Sequence, residues 1–110
     1  MNIVVIYCTV PNKKEADRIA KPLVKNRLAA CVSMIDKVVS HFSWEGEICK
    51  ENEVLLMIKT RRENYVKIKL VIESMHSYNV PEIIAVPIVD CSEEYLKWLI
   101  AETATENLNQ

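Results

Sequence analysis

At 110 residues, half of them apolar, the chain has the commonest size of a single domain and enough nonpolar material for a real core. A formal net charge of −1 offers no field for gathering nucleic acid or anionic lipid, and no apolar run reaches membrane-spanning length. The start, Met1-Asn2-Ile3-Val4-Val5-Ile6, lacks the basic flank and small-residue cleavage site of a secretory signal, so the four cysteines are expected as free thiols in a reducing cytoplasm.

Ile3 to Val10 is β-rich and apolar on both faces, with Ile3, Val5 and Tyr7 on one and Val4, Ile6, Cys8 and Val10 on the other. That pattern marks a central strand. Pro11-Asn12 ends it, and Asn12 with Glu15 has the spacing of a capping box. Ala16, Ile19, Ala20, Leu23, Val24 and Leu28 follow as a helical stripe, with Pro22 expected to kink the helix near Arg18 to Lys21.

Two long extended stretches come next, Ala30 to Trp44 and Glu45 to Thr60, folded back at Trp44-Glu45-Gly46-Glu47. The turn carries the only glycine of the chain, the residue that enters left-handed conformations without steric cost. Fifteen extended residues span roughly 50 Å, about twice the length of the other candidate strands. The hairpin therefore overhangs, and its free end carries Val38, Val39, Phe42, Trp44 and Ile48. A two-stranded ribbon of this kind is marginal alone in water. Either it bends back over its own domain or it is an oligomerisation arm, the reading favoured here.

Thr60-Arg61-Arg62-Glu63 has capping-box spacing and predicts a second helix with Tyr65, Ile68, Ile72 and Met75 inward. Ile83 to Val89 reads as the last strand. A short helix capped at Ser92 then turns Tyr95, Leu96, Leu99 and Ile100 inward. The order is β-α-β-β-α-β plus one helix, an α+β ferredoxin-like sandwich occupying residues 1–110 as one domain. Right-handed crossovers give an antiparallel sheet in the order 4-1-3-2, with Pro87 on an edge strand where no ladder donor is needed. Both helices cover one face, yet Val54, Leu56 and Ile58 alternate with Leu55 and Met57. The last strand alternates likewise, so the second face needs a cover of its own.

This topology brings Cys8, Met75-His76-Ser77-Tyr78 and Val80-Pro81-Glu82 to one end of the sheet. Cys31 and Cys91 fall at the other end, and Cys49 on the arm. Thiolate and imidazole suit copper or zinc, and the thioether of Met75 suits monovalent copper. Each of the three also has a structural reading. Cys8 is a small hydrophobe in a central strand, His76 complements the end of a helix, and Met75 follows core spacing. His41 reads as a face of the arm, and Lys13-Lys14 and Arg61-Arg62 as solvated helix starts. No Gly-rich phosphate loop, nucleophile elbow or paired His motif is present. Cys8 and His76 can be drawn as a nucleophile and base, but no third orienting residue is evident. The two central strands offer Tyr7 alone as a stacking aromatic, which disfavours RNA binding.

Several segments together resemble the CutA divalent-cation tolerance family. They are Tyr7-Cys8-Thr9 with Pro11-Asn12, Lys25-Asn26-Arg27-Leu28-Ala29-Ala30-Cys31, Trp44-Glu45-Gly46, and Glu53-Val54-Leu55-Leu56-Met57-Ile58-Lys59-Thr60. They continue with His76-Ser77-Tyr78-Asn79-Val80-Pro81-Glu82-Ile83-Ile84-Ala85 and Tyr95-Leu96-Lys97-Trp98, in order and over nearly the whole chain. The resemblance implies a cytoplasmic ferredoxin-like homotrimer, PII-like in architecture, associated with copper and with tolerance of divalent metals. By position, the family's copper-binding cysteine falls on Cys8 and its histidine on His76. The residue before it, histidine in some members, is Met75 here. Ser77 stands where the family often has proline, and Pro22 interrupts a helix that is usually continuous. The family's intersubunit cleft falls on Trp44, Lys59, Tyr78 and Glu82. The expectation is a non-enzymatic copper-binding tolerance protein. The alternative is a PII-like regulatory module that takes a small ligand or partner protein at the cleft, with a cysteine-dependent hydrolase ranked below both.

Overall fold

The computed structural model describes residues 1–103. Its elements are β1 (Ile3–Val10), α1 (Lys13–Lys25), β2 (Cys31–Trp44), β3 (Glu47–Arg61), a 3₁₀ turn (Arg62–Asn64), α2 (Tyr65–Met75), β4 (Ile84–Pro87) and α3 (Glu93–Glu102). The strands form one antiparallel sheet in the order β2-β3-β1-β4, the expected order counted from the other edge. α1 and α2 cover the face bearing Val4, Ile6, Cys8 and Val10, which pair with Thr60, Ile58, Leu56 and Val54. Ile19, Leu23, Ile68 and Ile72 complete this core.

Local chemistry accounts for most boundaries. Asn12 caps α1, its side-chain oxygen accepting the Glu15 N–H at 2.8 Å. The reciprocal half of the box is not made, because the Glu15 carboxylate turns toward the segment after α2. α1 runs through Pro22 to Lys25, and Val24 faces outward, not into the stripe expected of it. Thr60 is not a helix cap either. It is the last buried residue of β3, and its hydroxyl donates to the Leu28 carbonyl, which Asn64 Nδ2 also reaches at 3.1 Å. α2 therefore starts one short turn later than expected. β4 is shorter than predicted: pairing with β1 ends at Pro87, and the chain leaves after Ile88 N–H reaches the Ile3 carbonyl. On α3 only Leu99 is fully buried, with Leu96 beside it, while Tyr95 and Ile100 are exposed.

The hairpin stands out from the body, and the molecule measures 47 × 29 × 22 Å. Glu45 (φ 49) and Gly46 (φ 82) both adopt positive φ at the tip, the geometry that suits the twist of a two-residue hairpin turn. A bulge interrupts the pairing between Ile35 and Val38. There Lys37 takes φ 62, its N–H bonds Asp36 Oδ1 at 2.8 Å, and Lys13 Nζ reaches Asp36 Oδ2 at 3.2 Å. Beyond the bulge Phe42 and Trp44 are 41% and 47% exposed, so the ribbon does not fold back over its own domain. The second sheet face is covered by α3 only near Ile3 and Ala30. Val5, Tyr7, Leu55 and Met57 are half-buried there, and Ile84 and Val86 are 50% and 40% exposed.

Candidate functional site

α2 ends at Met75, and the extended conformation of His76 (φ −76, ψ 139) sends the chain across the end of the sheet where β1 finishes. The buried His76 ring donates from Nε2 to the Thr9 carbonyl at 2.8 Å, and its Nδ1 accepts the Tyr78 N–H at 3.0 Å. The two bonds together select a neutral imidazole with its proton on Nε2. Glu15, in the first turn of α1, forms the opposite wall. Its Oε2 accepts from the Ser77 N–H at 3.0 Å and the Ser77 hydroxyl at 3.1 Å, and lies 3.5 Å from His76 Nδ1. Arg18 stands 3.8 Å from the same carboxylate and bonds the Met75 carbonyl at 3.1 Å.

The Tyr78 ring lies against His76, centroids 4.7 Å apart, and its hydroxyl donates to Glu53 Oε2 at 2.8 Å. Glu53 is itself buried, one residue before Val54, the position where β3 stops pairing with β1. Burial, the Glu53 hydrogen bond and the Glu53 charge together hold the Tyr78 phenol above its usual range. Burial, then the Glu53 charge, raise the Glu82 carboxyl above the ordinary carboxylate range. Cys8 feels the same surroundings. Burial, then the charges of Glu82, Glu15 and Glu53, push its thiol up to about 12. It stays protonated at neutral pH and behaves as a small core hydrophobe.

The fold thus brings Cys8, His76 and Met75 to one end, but as they are held they do not fit copper. Thiolate formation at Cys8 is opposed by burial and by three carboxylates, both His76 nitrogens are engaged, and Met75 packs against the core. Among the described residues no group of three or more His, Cys, Asp or Glu side chains is arranged to hold a metal ion. A nucleophile–base pair fits no better: the Cys8 thiol and His76 Nε2 both turn to the Thr9 carbonyl, at 3.8 and 2.8 Å.

Trp44, Lys59, Tyr78 and Glu82 do not converge within one protomer. Tyr78 and Glu82 gather around Glu53. Lys59 lies six residues along β3 from Glu53, roughly 20 Å away, and its ammonium donates to Ser33 Oγ at 2.8 Å. Trp44, paired with Glu47 at the arm's tip, lies about as far in the other direction. A cleft built from all four requires more than one copy. Sequence reasoning missed Glu15 and Glu53 as members of this end. The one signal was a carboxylate heading the apolar alternation Val54 to Ile58, with nothing nearby in the chain to pair it.

The chain matches the family model described as CutA1 divalent ion tolerance protein over residues 4–102. It is 42% identical to the divalent-cation tolerance protein CutA of Thermus thermophilus over 99 residues, 90% of this chain and 96% of that one. It is 40% identical over 96 residues to an Arabidopsis thaliana protein named CutA, chloroplastic, covering 87% of this chain and 53% of that protein. A solved structure of the Thermus thermophilus divalent cation tolerance protein (Cut A1) superposes with a TM-score of 0.90 at 41% identity, covering 93% of this chain and 99% of that one.

Proposed function

The chain belongs to the CutA1 divalent ion tolerance family, and from that premise we propose that it serves cation tolerance as a cytoplasmic, PII-like homotrimer whose ligand site is a cleft between subunits. The observation that carries this reading is the uncovered sheet face beside an exposed apolar arm. In a three-fold ring each arm extends a neighbour's sheet while the bare faces close on one another. The Cα radius of gyration, 14.7 Å against about 13 Å for a compact 100-residue domain, agrees with a chain shaped by its partners. Closure between copies would bring Trp44 and Lys59 to Tyr78 and Glu82, with Glu53 as a further wall.

The cleft would take a small molecule or a partner segment without turning it over, because Cys8 and His76 are committed to internal bonds. Four unpaired cysteines support a reducing compartment. The Arabidopsis relative is named chloroplastic, so membership alone does not fix the location. A second reading, copper at Cys8, His76 and Met75, draws on His76 bonding the carbonyl next to Cys8. It would require His76 to release a partner and Cys8 to lose its proton.

Calorimetry with nucleotides and with metal ions on the purified protein tests the two. Heat with nucleotides that Lys59→Ala and Tyr78→Phe reduce supports the cleft. A competition titration with monovalent copper, run on wild type, Cys8→Ser, His76→Ala and Met75→Leu, should give one common affinity. Loss in the Cys8 and His76 variants would restore the copper site and overturn the preference for the cleft.

A further inference from the structure

The four thiols differ in what surrounds them. Cys8 is sealed in the core, Cys49 reaches the Glu47 carbonyl at 4.0 Å, and Cys91 packs beside Ile3, Ala30 and Leu99. Among the described residues Cys31 is the one thiol with an amine within reach. It is the direct cross-strand partner of Lys59, and Lys59 Nζ stands 3.8 Å from its sulfur. Ser33, two residues on and on the same face, touches both: its Oγ is 2.8 Å from Lys59 Nζ and 3.6 Å from Cys31 Sγ. Lys59 has no carboxylate partner among the described residues, so its ammonium is held by a hydroxyl and a thiol on a half-buried sheet face.

We propose that Cys31 and Lys59 form a reversible sulfur–nitrogen cross-link under peroxide, a modification site between β2 and β3. Peroxide oxidises the Cys31 thiol to the sulfenic acid, releasing one water and lowering peroxide oxygen by two electrons. The Lys59 amine, after its ammonium gives one proton to solvent, attacks the sulfur. The S–N bond forms, the S–O bond breaks, and the departing hydroxyl takes the second amine proton and leaves as water. Overall, thiol plus amine plus hydrogen peroxide give the sulfenamide plus two waters. Ser33 Oγ, bonded to the amine and beside the sulfur, passes the proton from nitrogen to the leaving hydroxyl. A sulfenic acid ordinarily finds a thiol or a backbone nitrogen; here the side-chain amine is already in place. Closing the 3.8 Å gap takes only motion of the lysine stem, the more flexible partner.

The test is peroxide treatment of the native protein followed by tryptic mapping without reductant. Modified Lys59 resists trypsin, so the expected product joins the peptide 28–37, which carries Cys31, to the uncleaved peptide 51–61. Its mass should be that of the two peptides less two hydrogens, and dithiothreitol should release them. Cys31→Ser and Lys59→Arg should abolish the product, and Ser33→Ala should slow its appearance about a hundredfold, as loss of a proton carrier does. Sulfoxide at Met57, the cross-strand partner of Ser33, reports that the oxidant reached this face of the sheet. The proposal is overturned if, with Met57 oxidised, Cys31 is recovered as free thiol, sulfinic acid or a disulfide while trypsin still cleaves after Lys59. An equal rate of appearance in Ser33→Ala would overturn the relay.

Discussion

Replacing Glu15 by alanine should destabilise the protein by about 2–3 kcal/mol and loosen the segment that presents Tyr78. The carboxylate accepts two bonds from Ser77, at 3.0 and 3.1 Å, from a nearly buried position. Hydrogen bonds to a charged acceptor contribute about 1.5–3 kcal/mol each. Ser77 is exposed, so water replaces part of what is lost, and about 1 kcal/mol per bond, below that range, is the fitting figure. An acidic group in the first helical turn adds about 0.3–1 kcal/mol through the helix dipole. The Arg18 contact, at 3.8 Å from an exposed side chain, adds little. Glu15→Gln keeps one acceptor oxygen and should lose about half as much. The assay is urea unfolding at fixed protomer concentration, because assembly is linked to stability. Amide exchange at Ser77 and Tyr78 reads the local effect. A Glu15→Ala variant within about 0.5 kcal/mol of wild type, with both amides as protected as before, would refute the role given to this carboxylate.

Three further outcomes follow from the geometry. Lys37→Gly should stabilise the protein by up to about 1 kcal/mol, since Lys37 holds φ 62 at the bulge and glycine relieves that strain; an unfolding midpoint that falls would count against it. Glu53→Gln removes the charge that helps raise Glu82, so the Glu82 carboxyl should titrate lower by carboxylate-resolved NMR. A carboxyl raised in the folded state favours folding at low pH and loses that contribution as pH rises through its folded value, so the variant should lose less stability across the carboxylate range than wild type does. Cys8, pushed up to about 12, should resist iodoacetamide at pH 8 until the chain is unfolded; its alkylation in the native protein would count against the sealed thiol.

Alternation and turn chemistry were enough to read the sheet from the chain. Ile3 to Val10 is apolar on both faces and sits centrally, Gly46 marks the hairpin tip, and Asn12 caps α1. What was hidden depends on side chains choosing tertiary partners over local ones. Glu15 leaves its own helix start for Ser77, and Thr60 leaves the cap position for Leu28. Burial of Val24, Tyr95 and Ile100 was misjudged because spacing fixes a face but not how much of it a neighbour covers. The metal candidates illustrate the same limit. Topology placed Cys8 and His76 at one end, but the packing there seals the thiol among carboxylates and engages both ring nitrogens, which no spacing in the chain encodes.

The central claim is that the bare sheet face and the arm are covered by other copies of the chain. Sedimentation equilibrium at micromolar concentration tests it most directly. The account predicts a folded species of three times the 12.7 kDa protomer, which polar replacement of Phe42 and Trp44 dissociates. A stably folded 12.7 kDa monomer with Phe42 and Trp44 exposed to solvent would contradict it.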